Sequence, residues 1–149
     1  MKTSKKLSKK QIPVVEIPAY TPPTPEELAA YNKEAFERFL VNQLAEACEA
    51  IERFSKELNE HPSYALEWAQ SAFQATGVLE VVKCVLINYM GGAIMKDIYE
   101  LCLERALSGA NHPSQSTSVT RNLASTYMTA AWADMAGSIK QYGFLKATA

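Results

Sequence analysis

Residues 24–60, TPEELAAYNKEAFERFLVNQLAEACEAIERFSKELNE, decide the fold of this chain. Thr24, Pro25 and Glu27 form a helix start, in which threonine caps the helix, proline fits its first position and glutamate completes a capping box. No residue breaks the helical pattern from there to about Leu58. The stretch therefore predicts one helix of about 33 residues, which would be roughly 50 Å long at 1.5 Å per residue.

The apolar residues in the second half of this helix follow a heptad pattern. They recur at alternating spacings of four and three: Leu40, Leu44, Ala47, Ile51, Phe54 and Leu58. Such a seam is typical of a helix that packs lengthwise against another helix. The helix is nevertheless longer than a compact domain of this size needs. We therefore expect part of it to be covered by another chain or by the N-terminal arm, or to be shortened by a kink.

A second helical pattern runs from about residue 62 to residue 90 and ends in a turn at Gly91-Gly92. Gly77 weakens its middle, so we expect this helix either to bend there or to split in two. A buried strand over residues 78–87, which are strongly apolar and rich in β-branched side chains, is the alternative. We favour the helix because the sequence from residue 26 onwards offers no partner strand.

Two further helical patterns complete the chain. The third is predicted over residues 93–108, where Gly109 is expected to stop it. The fourth is predicted over residues 117–143 and is rich in small residues that let helix axes approach closely, as at Ala133-x-x-x-Gly137. Together the four patterns predict an all-α, four-helix bundle-like domain with a long first helix and an extended, proline-rich N-terminal arm.

Residues 1–25 form that arm, and their composition differs from that of the helical domain, residues 26–149. The arm carries five lysines and one acid, Glu16, whereas the domain carries ten basic and fifteen acidic residues. The net charge of −1 for the whole chain therefore conceals an arm of +4 and a domain of −5. An acidic domain is a poor nucleic-acid-binding face, so contact with polyanions is predicted for the arm alone.

Prolines make the second half of the arm extended. They stand at positions 13, 18, 22, 23 and 25, where they fix φ and push the preceding residues towards extended geometry. Five large apolar residues share this stretch: Ile12, Val14, Val15, Ile17 and Tyr20. A solvated linker would not need them. We predict that this strap, residues 12–20, binds a protein by lying on a helical surface of its own or of a neighbouring chain.

Lysines dominate the first ten residues of the arm. Four of them are the predicted nucleic-acid-binding residues: Lys5, Lys6, Lys9 and Lys10. They would neutralise backbone phosphates in a salt-dependent way, without sequence specificity, because the run has no arginine and no aromatic residue for stacking on bases. The alternative is that the lysines dock on the acidic first helix, which carries nine acids and four bases over residues 26–60.

Candidate catalytic and metal-binding residues are few. His61 and His112 are the only histidines, each precedes a proline, and two histidines do not complete a metal site without nearby carboxylates. A di-iron bundle needs Glu-x-x-His motifs, and the sequence contains none. The serines and threonines from Ser114 to Thr120 match no nucleophile motif. We predict no catalytic, cofactor or metal site, and hence a protein that is not an enzyme.

The cysteines and the hydropathy pattern predict the compartment. Cys48, Cys84 and Cys102 are an odd number within helical patterns, and we expect reduced thiols that pack as small apolar residues. The longest uncharged apolar run, residues 84–95, is too short to span a bilayer. The basic N-terminus lacks the apolar stretch of a signal peptide. We expect a cytoplasmic protein that does not associate with membranes.

These patterns predict a non-enzymatic, all-α interaction protein that acts as a homo-oligomer, with a dimer as the expected state. It would serve as an adaptor, an assembly factor or an inhibitor of a macromolecular partner. The prediction depends on a first helix of excess length and an apolar strap in a chain without catalytic motifs. The alternative is a nucleic-acid-associated protein whose lysine-rich arm contacts the backbone while the helical domain oligomerises.

Overall fold

The computed structural model describes residues 21–145, and it confirms the predicted all-α, four-helix bundle-like fold. The four α-helices are α1 (Pro25–Glu60), α2 (Ala65–Met90), α3 (Met95–Asn111) and α4 (Val119–Gln141). A short 3₁₀ turn over Pro62–Tyr64 leads into α2. Residues 21–145 contain no β-strand. None of the helices described is both long and apolar enough to cross a membrane.

The predicted start of the long first helix is confirmed in atomic detail. The Glu27 amide donates a hydrogen bond to Thr24 Oγ1 (3.2 Å), and the Thr24 amide donates one to Glu27 Oε2 (2.8 Å). The helix has 36 residues, three more than about 33, and is therefore about 54 Å long. Every residue from Thr21 to Tyr31 is exposed. The first turns of α1 are therefore only partly covered by the rest of the domain.

The second helix is continuous, so both the split at Gly77 and the strand over residues 78–87 are wrong. Gly77 is buried where α2 crosses α4, and a Cβ atom there would lie 3.2 Å from the backbone oxygen of Tyr127. The missing side chain thus allows the two backbones to approach closely. Packing between helices, rather than flexibility within α2, explains the glycine.

The third helix continues through Gly109 to Asn111, so the predicted stop at Gly109 is wrong. A Cβ atom at Gly109 would clash with Thr129 Oγ1 of α4. The glycine makes room for a helix neighbour instead of ending its own helix. Gly77 and Gly109 therefore fit α4 against α2 and α3, respectively.

The closest helix packing runs in the order α1, α2, α4, α3. Short connections make consecutive helices antiparallel, so the start of α1 and the ends of α2 and α4 meet at one end of the domain. The eight most deeply buried large side chains come from all four helices: Phe36, Leu40, Val81, Val82, Val85, Ile98, Cys102 and Ile139. The core is therefore shared by the whole bundle.

The core is concentrated towards one end of the bundle. We call the opposite end the open half, which comprises residues 48–60 of α1, 65–74 of α2, 104–111 of α3 and 119–130 of α4. None of these described residues is buried. The heptad residues Ile51 and Phe54 are half-buried there, and Leu58 is exposed. The predicted seam is thus buried at Leu40 and Ala47 but becomes progressively more exposed towards the end of α1.

Candidate interaction surfaces

The residues predicted to bind partners lie outside the described part of the chain. This holds for the whole apolar strap (Ile12, Val14, Val15, Ile17 and Tyr20) and for the lysines predicted to contact nucleic acid (Lys5, Lys6, Lys9 and Lys10). The described residues, 21–145, instead show which surfaces of the helical domain are open to a ligand. Two apolar grooves are described below.

The first, which we call the end groove, lies at the core end of the bundle and has a volume of about 710 Å³. Three parts of the chain line it: the early turns of α1, the corner between α2 and α3, and the segment after α4. Its most informative lining residues are Ala29, Lys33, Glu37, Tyr89, Ile94 and Phe144. The groove is therefore mostly apolar, with charged groups contributed by α1.

A tight turn at the end of α2 forms one wall of the end groove. The Ala93 amide donates to the Asn88 carbonyl (3.0 Å), and the Gly92 amide donates to the Tyr89 carbonyl (3.1 Å). Gly92 has φ +84°, a left-handed conformation that glycine adopts without strain. This pair of bonds is the Schellman motif, and it confirms the turn predicted at Gly91-Gly92. The turn places Ala93 and Ile94 on the rim of the groove.

A second left-handed glycine shapes the opposite wall. Gly143, with φ +72°, follows α4, and its amide donates to the Lys140 carbonyl (3.0 Å). The chain then reverses and brings the Phe144 ring to 5.2 Å from the ring of Phe36, edge to face. The Tyr142 ring packs 5.4 Å from the same phenylalanine. Aromatic pairs of this kind contribute about 0.5–1.5 kcal/mol each beyond their buried area.

One short hydrogen bond joins α1 to α2 inside the groove. Tyr89 Oη donates to Glu37 Oε1 at 2.6 Å, and Lys33 Nζ lies 4.0 Å from the same oxygen. Burial, and secondarily the bond to Glu37, raises the pKa of Tyr89 from 10.0 to about 12. At neutral pH the phenol is therefore a hydrogen-bond donor held in a fixed position, and Glu37 is an acceptor already in use.

The second surface, which we call the side groove, runs between α3 and α4 and has a volume of about 580 Å³. Its lining is mostly apolar and small, and the largest side chains from α3 are Tyr99, Leu103 and Leu107. Ala133 and Gly137 lie in this groove and are exposed, and a Cβ atom at Gly137 would meet nothing within 4 Å. Within the described residues, the predicted Ala133-x-x-x-Gly137 contact is therefore not used for helix packing.

The two histidines cap helices at the open half. His61 follows α1 and His112 follows α3, and both are exposed. Among the described residues, one group could offer three metal ligands within 4.8 Å of one another, namely Glu57, Glu60 and His61. These are neighbours on the last turn of one helix. His112 does not belong to this group of three.

The remaining candidate groups have ordinary structural settings. Cys102 is buried, and burial, followed by the neighbouring Cys84, raises the pKa of its thiol from 9.0 to about 12. Cys48 is exposed, so the expectation that all three thiols are packed is wrong for this one. Asp134 of α4 is exposed. Lys83 Nζ lies 3.4 Å from Glu80 Oε1, and the two side chains form an ion pair on the surface of α2.

Sequence reasoning missed the end groove because its walls come from residues far apart in the chain. Tyr89 and Glu37 are 52 positions apart, and their pairing has no local signal. Gly143 did carry a signal, since a glycine just after a helix often adopts a left-handed conformation and turns the chain back. The aromatic residues on both sides of Gly143 could have been recognised as returning to the core.

No family model, curated protein or solved structure matches this chain.

Proposed function

We propose that this chain is a non-enzymatic interaction protein of the cytoplasm that acts as a homodimer and binds a macromolecular partner. The observation that supports it is the amount of large apolar surface left uncovered. Among residues 21–145, eleven large apolar side chains are at least 37% exposed, and the open half of the bundle buries none of its residues. Isolated exposed apolar residues are ordinary, but contiguous groups of them indicate a binding surface.

One such group surrounds the corner between α2 and α3. Ile87, Met90 and Ile94 are 64%, 84% and 60% exposed, and they lie within eight positions of one another. A second copy that covers this corner would remove apolar surface from water at about 25 cal/mol per Å². The adaptor, assembly-factor or inhibitor role follows from the same surfaces, since they offer grooves and apolar rims for a protein ligand.

The dimer is tested by measuring the mass of the full chain in solution. Light scattering after size exclusion, at tens of micromolar protein, is expected to give twice the chain mass of 16.5 kDa. The Met90→Lys variant should shift the equilibrium towards monomer, because it places a charge in the exposed corner, whereas Lys83→Met on the polar surface of α2 serves as a control. A wild-type protein that remains monomeric at this concentration would rule out the dimer.

A second candidate function is nucleic-acid association through the arm. The observation that favours it is the density of lysines in residues 1–10. Binding of a duplex should weaken steeply as salt increases, with a slope that measures the number of phosphates neutralised. Replacing Lys5, Lys6, Lys9 and Lys10 with alanine should remove most of that slope. Affinity that is unchanged by both salt and substitution would eliminate this candidate.

A further inference from the structure

We propose that the end groove of one copy receives the apolar strap, residues 12–20, of a second copy. This inference rests on the proposed homodimer and assigns the surface through which the arm joins two subunits. It commits to one occupant, the strap of the neighbouring chain. Four observations support it: the chemistry of the groove, the position of the arm, the geometry of its first described residues and the charge of α1.

The chemistry of the groove suits an extended apolar segment with few backbone donors. Its volume of about 710 Å³ is in the range of pockets that bury several side chains. Ala29, Ile94 and Phe144 provide apolar walls, while Asn32 and Lys33 place polar groups along α1. The strap offers Val14, Val15 and Ile17 as apolar anchors, and its prolines lower the conformational entropy lost on binding.

The strap is the apolar segment nearest in sequence to α1, the helix that forms one wall of the groove. The strap immediately precedes Thr21, four residues before α1 begins, and the groove is lined by α1 from Ala29 onwards. Nine residues span at most about 30 Å when fully extended. Residues 146–149, which follow Leu145 in sequence, read KATA and offer no large apolar side chain.

The geometry of residues 21–24 favours the groove of a neighbour over the groove of the same chain. All four are exposed, so this short segment contacts little of its own domain. Prolines fix φ at three of five consecutive positions, Pro22, Pro23 and Pro25, and keep the segment extended. Reaching its own groove would require the chain to reverse sharply alongside α1 within this stiff segment. A second subunit requires no such reversal.

Charge provides the fourth argument. The lysines of residues 1–10 lie directly beyond the strap in sequence, and residues 26–38 of α1, the part of the helix at the groove, carry four acids against two bases. A strap seated in the end groove brings these lysines to the neighbourhood of this acidic stretch of the receiving helix. Opposite charges of this kind steer association and fix orientation, although each exposed pair alone contributes little free energy.

The test is photo-crosslinking in the full chain, with benzoyl-phenylalanine placed at Ile17 and, as a second variant, at Tyr20. Irradiation should produce a covalent dimer on a denaturing gel, and mass spectrometry should locate the cross-link at residues 89–95 or 142–144. In the same background, Ala29→Trp should lower the yield about tenfold, because indole fills the groove from an exposed position. Ala30→Trp is the matched control, since Ala30 is also exposed but does not line the groove.

The outcomes separate this inference from the proposed function. Cross-links confined to a single chain, cross-links to other regions, or equal effects of the two tryptophans would each overturn the inference. If light scattering still gives a dimer in those cases, the proposed homodimer is retained and only the assignment of the strap to the end groove is wrong. If the chain is a monomer, both proposals fail together.

Discussion

At the scale of single residues, Gly109 and Gly137 have opposite consequences for stability although both lie inside helices. Gly109→Ala would push a methyl group into Thr129 Oγ1, so we expect it to lower the free energy of unfolding by about 1–3 kcal/mol. The methyl group of Gly137→Ala would have no neighbour within 4 Å, so we expect this variant to raise the free energy of unfolding by about 0.5–1 kcal/mol, because alanine has the higher helix propensity. Urea titration followed by circular dichroism measures both. Equal effects of the two variants would mean that α3 and α4 do not pack closely at Gly109.

The Tyr89 phenol links stability to alkaline pH. Because the folded state holds its pKa near 12, above the ordinary 10.0, the unfolded chain loses this proton first as the pH rises. The contribution of the protonated Tyr89 phenol to the free energy of unfolding is complete below pH 10 and is lost between about pH 10 and pH 12. Burial also raises the pKa of Cys102, so this thiol causes a further loss of stability at alkaline pH. The effect of Tyr89 is therefore measured as the difference in the free energy of unfolding between wild type and Tyr89→Phe. We expect the variant to be less stable at neutral pH by about 0.5–1.5 kcal/mol and to lose less stability above pH 10. Identical pH profiles would show that the bond to Glu37 does not form in solution.

At the scale of elements, the capping box at Thr24 stabilises a helix end that has little tertiary support. Thr24→Ala should remove about 1 kcal/mol from the first turn, because the Glu27 amide loses its acceptor. Residues 21–31 are all exposed, so we expect local fraying rather than global unfolding. Hydrogen exchange should accelerate in residues 26–30 and stay unchanged in α2. Thr24→Ser retains the hydroxyl and should behave like wild type. A uniform acceleration over the whole chain would show that the first turn is coupled to the core.

The elements were largely predictable, and the errors concern packing between them. The start of α1 has a complete local signal in Thr24 and Glu27, and the structure confirms it. Gly77 and Gly109 have the same local signal as a bend or a stop, but the neighbouring helix decides their role. Local sequence cannot show which helix will lie opposite a glycine. The continuity of α2 and α3 was therefore beyond prediction from single-chain patterns.

At the scale of the whole molecule, the uneven core predicts uneven protection. Val81, Val85 and Ile139 are fully or almost fully buried, whereas the open half buries none of its described residues. We expect slow amide exchange at these three positions and exchange faster by at least tenfold in residues 65–74 and 119–127. Exchange measured by mass spectrometry on the full chain tests this. A partner bound to the open half should slow exchange there, whereas a uniformly protected chain would disprove the division into two halves.

The candidate site was less predictable than the fold. The sequence pattern predicted binding residues in the arm, outside the described range, and did not predict the end groove. The end groove depends on Glu37, Tyr89 and Phe144, which are brought together only by the antiparallel arrangement of α1, α2 and the segment after α4. Amphipathic spacing reports which face of a helix is covered. Amphipathic spacing does not predict where three packed elements leave a groove between them.

The connection between α3 and α4, residues 112–118, lies at the end of the molecule furthest from the buried core. Lengthening it changes closure entropy only slightly, so it is a natural place to insert a peptide tag or a fluorophore-bearing loop. A reporter there would sit opposite the end groove and leave that groove free. If the end groove binds the strap of a second copy as proposed, a reporter in this connection would detect assembly from the opposite pole of the bundle.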